Sequence, residues 1–372
     1  MSNLLNMKDL KRIAITCGGT GGHFNPGLSI AQEFNAAGGE AILLLGGKHA
    51  EKQLKIAAEC GVKAYKIPAS PLSKNLFRLI RFALDALKGR NLCRKIMQEH
   101  KVQALLSMGS YTSIPPYLAA YSRKIPFFLH DGNARLGKAN LAMSKRAKAF
   151  AFSFPSVNAS GVKCPAELTG FPLRAQLLHS HLSREEAFAK INETFGATFD
   201  PEQPTLLVFG GSLGAERINR NIDFTSPDLQ VIHLTGPGKK EQAETCYAGK
   251  PNKVLVLESF EDMGLLYTAA DFVISRAGGS TVSELAYFGK YALLIPYPFA
   301  AQQHQDDNAA WLASAGGAEV VADSDCTATL FRSMIDRWVA NRDAILAAGE
   351  RSRALAMPDA AAKVIAMIRK YL

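Results

Sequence analysis

The chain has 372 residues, of which 48% are hydrophobic and 20% charged, with a mean hydropathy of -0.00. This length suits two domains, and the composition excludes both a disordered chain and a bundle of membrane-spanning helices. Lys and Arg outnumber Asp and Glu by 43 to 33, and the pI of about 9.3 indicates polyanionic partners: nucleic acid, phosphorylated metabolites or an anionic membrane face.

Short apolar runs alternate with longer amphipathic stretches along the chain. The runs are Arg12–Thr16, Ala41–Leu45, Ala104–Met108, Pro126–His130, Thr205–Phe209, Val254–Leu257, Phe272–Ser275 and Ala292–Ile295. Runs that are apolar throughout suit parallel strands covered by helices on both faces. Because a strand, a glycine-rich turn and a helix follow one another twice, from Arg12 and from Thr205, we predict an α/β fold with two Rossmann-like domains.

The predicted domains span residues 1–172 and 173–357, and a C-terminal helix over 358–372 is expected to pack back on the first domain. The six cysteines are scattered without a C-x-x-C pair, which indicates reduced thiols rather than a zinc site or a disulfide framework. Residues 1–12 lack the apolar core of a signal peptide, and no apolar run reaches the ~18 residues of a spanning helix. We therefore expect the protein to stay inside the cell.

The first glycine loop runs from Gly18 to Gly27. Its backbone amides can approach an anion or a sugar, and the following helix adds a favourable dipole. The second strand ends in Leu45-Gly46-Gly47 without the acid that binds the ribose of NAD, and there is no P-loop lysine. His23 closes the loop, where it serves either as a cap or packing residue or as a group that handles a proton.

The segment from Ser275 to Glu284 combines a strand end, a glycine turn and a helix predicted to begin near Ser280 or Thr281. The hydroxyls and the amides of the first turn suit a phosphate, and Glu284 lies one turn further on, where a carboxylate can accept from both hydroxyls of a ribose. Together they predict a nucleoside-diphosphate clamp. The alternative is a capping box, in which Glu284 only caps the helix. The glycine loop Gly210–Ala215 has the same phosphate-binding character.

Two further segments leave alternatives open. Asp323-Ser324-Asp325 is similar to the D-x-D metal pair of some sugar transferases, but capping of a helix over Leu330–Trp338 explains it better, and we predict no metal and no cofactor. Segment Leu72–Lys95 is either an interfacial helix or an ordinary packing helix. Its apolar residues are Leu76, Phe77, Leu79, Ile80, Phe82, Leu84 and Leu87, and its basic residues are Lys74, Arg78, Arg81, Lys88, Arg90, Arg94 and Lys95.

The motifs together resemble the MurG family of two-domain inverting glycosyltransferases, which make lipid II in peptidoglycan synthesis. The matching segments are Gly18–Leu28, Gly109–Pro116, His130–Asn133, Gly170–Arg174, Gly210–Ala215, Phe260–Met263, Ala277–Glu284 and His304–Ala309. The resemblance implies a GT-B-type fold in which the two sheets face across a cleft. Where the family usually has His-Glu-Gln-Asn, this chain has Asp131 and Gly132, which keeps the acid and loses the glutamine. Gly109-Ser110-Tyr111 stands where the family usually has Gly-Gly-Tyr.

The resemblance also implies roles for matching residues. His23 is the candidate base, with Asp131 as the alternative base or as the partner that orients it. The donor sugar and diphosphate contact Thr20, Gly21 and Gly22 and are wrapped by Gly279, Ser280, Thr281, Val282 and Ser283. Of the remaining residues, Asn133 reads a sugar hydroxyl, Arg174 and Ser212 contact UDP, Phe260 lines the uracil pocket, Glu284 holds the ribose, and Gln305 reads N-acetylglucosamine.

The implied reaction moves N-acetylglucosamine from its UDP ester to the 4-hydroxyl of undecaprenyl-pyrophosphoryl-N-acetylmuramoyl-pentapeptide (lipid I). The alternatives are transfer to another lipid acceptor, a UDP-N-acetylglucosamine 2-epimerase and a non-catalytic nucleotide-sugar-binding subunit. The implied partners are the UDP-sugar, the lipid acceptor and an anionic membrane surface, without nucleic acid. We expect peripheral attachment to the cytoplasmic side of the cell membrane.

Overall fold

The structure is a computed structural model that describes residues 10–71, 75–178, 182–211 and 214–372. The chain forms two compact units. Unit 1 comprises Met1–Arg174 with Met357–Leu372, and unit 2 comprises Ala175–Ala356. Within the described ranges, no helix is both long and apolar enough to cross a bilayer.

Unit 1 is built on seven parallel strands in the order β3-β2-β1-β4-β5-β6-β7. The strands are β1 (Arg12–Thr16), β2 (Glu40–Leu45), β3 (Lys63–Lys66), β4 (Ala104–Ser107), β5 (Phe127–Asp131), β6 (Ala149–Phe152) and β7 (Ala166–Leu168). The helices are α1 (Gly21–Ala36), α2 (Ala50–Glu59), α3 (Leu76–Glu99), α4 (Ile114–Ser122) and α5 (Lys138–Ser144).

Unit 2 is built on six parallel strands in the order β10-β9-β8-β11-β12-β13. The strands are β8 (Thr205–Phe209), β9 (Gln230–Leu234), β10 (Val254–Leu257), β11 (Phe272–Ser275), β12 (Tyr291–Leu294) and β13 (Ala318–Val320). The helices are α6 (Ala175–Leu178), α7 (Arg184–Phe195), α8 (Glu216–Asn221), α9 (Lys240–Glu244), α10 (Met263–Ala269), α11 (Gly279–Phe288), α12 (His304–Ser314), α13 (Ala328–Ala340) and α14 (Arg342–Ser352). The chain ends with α15 (Ala360–Tyr371), which packs on α1 in unit 1.

The all-apolar strands are buried on both faces, as predicted. In β1, Ile13 and Ile15 belong to the core cluster on one face of the sheet, and Ala14 belongs to the cluster on the other face. Successive side chains of a strand point to opposite faces of the sheet. A strand covered by helices on both faces therefore needs apolar residues at every position. The prediction of two α/β units with parallel sheets is confirmed.

Each sheet has a point where the strand order reverses. In unit 1, β1 lies between β2 and β4, and in unit 2, β8 lies between β9 and β11. Connections from the two sides diverge there, and they open a crevice at the carboxyl ends of the strands where α/β proteins bind ligands. This topology places the glycine loops after β1 and β8 at the switch point of their own sheet.

The stability of unit 2 depends on a buried carboxylate at the start of β11. Asp271 accepts hydrogen bonds from Arg184 at 2.9 Å, from Arg342 at 3.2 Å and from the Thr205 amide at 2.8 Å. Replacing it by alanine removes the carboxylate that pairs with two arginines and leaves the buried Thr205 amide without its acceptor, so Asp271→Ala is expected to lower the free energy of unfolding by about 3 kcal/mol. Both tryptophans, Trp311 and Trp338, lie in unit 2, and their fluorescence during urea unfolding measures this loss.

The matched control is Asp228→Ala, because Asp228 is an exposed carboxylate of the same unit. Its unfolding midpoint is expected to stay within experimental error of the native value. An equal shift in the two variants would contradict the assignment of Asp271 as a buried anchor.

Candidate active site

The first glycine loop connects β1 to α1, and its glycines serve two purposes. A side-chain carbon on Gly18 would lie 2.4 Å from the Gly46 amide nitrogen, and one on Gly27 would lie 2.5 Å from Cys17 Cβ. Those two glycines are therefore required by packing of the chain on itself. Gly19 adopts a φ of +105°, which favours glycine over any other residue.

Neither packing nor backbone conformation requires glycine at Gly21 or Gly22. Both are exposed in the first turn of α1, and added side-chain carbons would meet Asn25 Nδ2 at 3.7 Å and Thr20 Oγ1 at 3.8 Å as their nearest contacts beyond the adjoining backbone. Thr20 is the N-cap residue of α1 but makes no side-chain cap hydrogen bond. The start of α1 is thus left open, as binding of a ligand to its backbone requires.

His23 lies in the first turn of α1 and is half-buried. Its Nδ1 is 3.0 Å from Thr20 Oγ1, which fixes the ring, while Nε2 faces the loop after β4. A side-chain carbon on Gly109 would lie 3.5 Å from His23 Nε2. Because Gly109 has no side chain, there is open space beside His23 Nε2, the nitrogen with which a general base would accept a proton.

Asp131 ends β5 and is only 6% exposed. Its Oδ1 accepts from the Asn133 amide at 3.2 Å, and its Oδ2 accepts from the Gly137 amide and from Asn140 Nδ2, both at 2.9 Å. Burial raises the pKa of Asp131, and the hydrogen bonds from Gly137 and Asn140 and the nearby His23 oppose that rise. Both oxygens of Asp131 thus already accept hydrogen bonds, from the loop after β5 and from α5, which disfavours Asp131 as the base itself.

His130 adjoins this pair but cannot be the base. It is fully buried, its Nε2 is 3.2 Å from Ser153 Oγ, and burial lowers its pKa to about 3, so the ring is neutral at neutral pH. Asn140 Nδ2 donates to the His130 carbonyl at 3.1 Å as well as to Asp131. Asn140 was missed by the sequence analysis, because no motif spacing links it to the end of β5.

In unit 2, α11 begins directly after β11 and its glycine turn. Gly278 is the N-cap residue in an extended conformation, no side chain caps the helix, and the Val282 amide makes the first intrahelical bond, to Gly278. The helix therefore starts at Gly279, slightly earlier than predicted. Its first-turn amides and the hydroxyls of Ser280 and Thr281 stand at the end where an anion binds.

Glu284 is not a capping residue, so the capping-box interpretation is wrong. The N-cap is Gly278, and a side chain six residues beyond it is too far along the helix to bond its amide. Instead, Glu284 is buried and its Oε2 accepts from Tyr267 Oη at 2.8 Å. Tyr267, on α10, is the second residue that the sequence analysis missed.

Two further predicted residues lie in the first turn of α12 and in the loop after β10. Gln305 Oε1 accepts from the amides of Ala277 at 3.2 Å and Tyr297 at 2.9 Å, and within the described part of the chain its Nε2 donates no hydrogen bond. Phe260 follows β10, is half-buried and packs edge-on against Phe195 with ring centroids 5.4 Å apart.

The remaining predicted residues lie at element ends. Val282 and Ser283 are buried in the first turns of α11, and Asn133 follows β5 beside Asp131. Arg174 is the last residue of the first stretch of unit 1 and is half-buried. Ser212, in the glycine loop after β8, lies outside the described residues.

The Asp-Ser-Asp segment neither caps a helix nor forms part of a metal cluster. Asp323 pairs with Arg217 at 3.1 Å and with Arg276 at 2.7 Å, and the N-cap of α13 is Thr327, which accepts from the Leu330 amide. The capping prediction was therefore wrong, since the two arginines supply a stronger partner for the first aspartate. Across residues 10–71, 75–178, 182–211 and 214–372, no group of three or more His, Cys, Asp or Glu residues is arranged to hold a metal.

Comparisons with known proteins identify the family of the chain. The N-terminal domain model of glycosyltransferase family 28 matches residues 13–152, and the C-terminal domain model matches residues 205–364. A curated relative from Citrifermentans bemidjiense, named UDP-N-acetylglucosamine–N-acetylmuramyl-(pentapeptide) pyrophosphoryl-undecaprenol N-acetylglucosamine transferase, is 30% identical over 96% of this chain and 99% of its own. A relative of the same name from Parabacteroides distasonis is 33% identical over 84% of this chain and 86% of its own.

Solved structures give the same result. The crystal structure of Acinetobacter baumannii MurG matches with a TM-score of 0.74 and 27% identity, covering 97% of this chain and 99% of that one. A UDP-GlcNAc 2-epimerase from Neisseria meningitidis matches with a TM-score of 0.69 at 12% identity over 96% of this chain, which is a likeness of fold alone. The full-length match to transferases of one name, with family models on both units, establishes that the chain belongs to the MurG family of glycosyltransferases.

Proposed function

We propose that this enzyme transfers N-acetylglucosamine from UDP-N-acetylglucosamine to the 4-hydroxyl of lipid I, with inversion. The observation that supports the proposal is α11, which has an uncapped N-terminus and carries the buried Glu284 about one turn further along, as a phosphate-binding end followed by a ribose contact would require. In this proposal, unit 2 binds the donor and unit 1 binds the acceptor at the membrane. Curated relatives with this activity in their name match the chain over nearly its whole length.

The donor is held so that UDP can leave. The first-turn amides of α11 meet the diphosphate, assisted by Arg174 and Ser212, and the helix dipole stabilises the negative charge that develops there. Glu284 accepts from the two ribose hydroxyls with the carboxylate that Tyr267 orients, the backbone at Phe260 faces the uracil, and Gln305 Nε2 donates to the N-acetylglucosamine.

His23 performs the proton transfer. Its Nε2 takes the proton of the acceptor 4-hydroxyl as that oxygen bonds to the anomeric carbon, and the bond to the UDP phosphate oxygen breaks with its electron pair, so the configuration inverts. Asp131 stabilises the resulting imidazolium from its buried position, and Asn133 contacts a sugar hydroxyl.

Helix α3 supports the proposed membrane contact. Four apolar side chains at i, i+3, i+7 and i+10 are exposed: Phe77 at 81%, Ile80 at 50%, Leu84 at 51% and Leu87 at 52%. Exposed basic side chains accompany them at Arg81, Lys88, Arg94 and Lys95. Lys74 lies outside the described residues, as do the side chains of Leu76 and Arg78. An exposed apolar stripe with a basic rim is typical of a helix that lies in a bilayer interface.

The C-terminal half of α3 explains why the stripe is not core. Cys93, Ile96 and Met97 are buried against the sheet, and Gly89 lets the helix approach Pro115 of α4, since a side-chain carbon there would lie 2.8 Å from Pro115 Cβ. That half anchors the helix to unit 1 and leaves the first half exposed. We therefore propose that unit 1 attaches peripherally to the cytoplasmic leaflet of the cell membrane.

Replacing two residues of the stripe tests this contact. Phe77→Ser with Ile80→Ser is expected to weaken binding to anionic liposomes about fivefold or more, because two large side chains no longer enter the interface. Co-sedimentation measures the binding, which should also fall with added salt as the basic rim is screened. The matched control is Phe299→Ser in unit 2, an equally exposed phenylalanine at 82%, which should bind like the native protein. Equal binding of native and double-variant protein would place the membrane contact elsewhere.

The reaction is tested by incubating purified enzyme with UDP-N-acetylglucosamine and a short-chain lipid I analogue. UDP release is expected only when the analogue is present, because transfer needs an acceptor. Release without the analogue would favour an epimerase or a hydrolase, and UDP binding without release would favour a non-catalytic subunit. The same assay with EDTA tests the metal-free mechanism, in which chelation leaves the rate unchanged.

A further inference from the structure

A serine beside the first glycine loop is held in a backbone conformation that belongs to glycine. Ser110 has φ +74° and ψ +161°. In that region the Cβ of any other residue clashes with the backbone, so structures populate it almost only with glycine. The four other described non-glycine residues with positive φ have values from 48° to 57° and belong to exposed turns or to the loop before α12.

The strain serves no visible purpose within the fold. Ser110 precedes the short 3-10 helical turn Tyr111–Ser113 but makes no side-chain cap hydrogen bond. Within the described residues its hydroxyl has no hydrogen-bond partner, and the side chain is half-buried, so Oγ reaches solvent. A glycine would relieve the strain without loss of any internal contact of that hydroxyl.

The position of the hydroxyl indicates what it contacts. Its Oγ would be 3.2 Å from a side-chain carbon on Gly19, so it lies over the glycine loop that follows β1. The preceding residue, Gly109, faces His23. A side-chain carbon on Gly109 would lie 3.5 Å from His23 Nε2. Consecutive residues of one loop thus border the proposed base and the open glycine loop.

We infer that Ser110 is a specificity-determining residue whose hydroxyl donates a hydrogen bond to an oxygen of the acceptor substrate. This inference rests on the transfer reaction and the acceptor side of unit 1 proposed above. Residues kept in sparsely populated conformations concentrate at ligand sites, where binding compensates the strain. A side chain that costs stability and has no internal partner fits that description.

Two substitutions separate strain from contact. Ser110→Gly removes both the strain and the hydroxyl, and is expected to raise the Tm of unit 1 by about 2–4 °C in calorimetry. Ser110→Ala keeps the strain and removes only the hydroxyl, so its Tm should stay within about 1 °C of the native value. Both variants should raise KM for a water-soluble lipid I analogue roughly three- to tenfold, the cost of one neutral hydrogen bond. In both, kcat and KM for UDP-N-acetylglucosamine should change less than about twofold.

The matched control is Lys101→Gly, which relieves a positive φ of 48° in an exposed turn after α3 and should leave every kinetic constant unchanged. An unaltered acceptor KM in both Ser110 variants overturns the inference, as does a rise confined to the KM of the donor. Native enzyme that lacks acceptor-dependent turnover would refute the proposed reaction instead, so the two failures are distinguishable.

Discussion

His23→Ala is expected to lower kcat for transfer by about 10²–10⁴-fold, the range that a positioned general base contributes. The imidazole is fixed by Thr20 through Nδ1 at 3.0 Å, and its Nε2 borders the space that Gly109 leaves open. Neither of the neighbouring titratable residues His130 and Asp131 can replace it, because burial lowers the pKa of His130 to about 3 and Asp131 accepts hydrogen bonds through both oxygens. Rates of UDP release with saturating acceptor measure the loss.

Two comparisons make the His23 result specific. UDP affinity should be unchanged in His23→Ala, because UDP is proposed to bind through α11 of unit 2. His100→Ala removes a histidine that pairs with Tyr65 at 2.7 Å, just before the amino end of β4, and should leave kcat unchanged. A kcat of His23→Ala within about threefold of the native value would exclude His23 as the base.

Glu284→Ala is expected to weaken UDP binding by about ten- to a hundredfold. Two hydrogen bonds from ribose hydroxyls to a carboxylate are lost, each worth about 1.5–3 kcal/mol before water compensates. Titration calorimetry with UDP measures the change. With 2′-deoxy-UDP, which can form only one of the two bonds, the same substitution should cost less affinity.

The contact with Tyr267 requires its own controls. Glu284→Ala also leaves the buried Tyr267 hydroxyl without its acceptor, which lowers stability by about 1–3 kcal/mol. Glu284→Gln keeps an acceptor for Tyr267 but removes the charge, so it should retain stability and still lose most of the UDP affinity. Tyr267→Phe, which only frees the carboxylate, should weaken UDP binding about twofold to threefold. Native UDP affinity in Glu284→Gln would reduce Glu284 to a partner of Tyr267.

The fold was predictable because its signals are local. The central strands of both sheets are largely apolar runs, and a glycine loop follows β1 and β8, so two parallel sheets could be predicted without tertiary information. The more polar strands β3, β7, β9 and β13 were not among the predicted runs. The phosphate end of α11 was predictable for the same reason, since strand, glycine turn and helix are consecutive in the chain.

Site residues were missed where their partners lie on other elements of the fold. Asn140 reaches Asp131 and Tyr267 reaches Glu284 only after separate elements pack together, and no spacing in the chain encodes either pair. Asp323 was mistaken for a helix cap because its arginine partners, at positions 217 and 276, are remote in sequence. The conformation of Ser110 was not predicted, because serine disfavours it; the only signal was that the family usually has a glycine at this position.

One measurement tests the central claim most directly. UDP-N-acetylglucosamine labelled in the sugar is incubated with the enzyme and lipid I in anionic vesicles, and the label is followed into the lipid extract. We expect one labelled N-acetylglucosamine per lipid I, in β linkage to the 4-oxygen of the muramoyl residue, with one UDP released. Label that stays in the aqueous phase, whether as unchanged donor or as its 2-epimer, would contradict it.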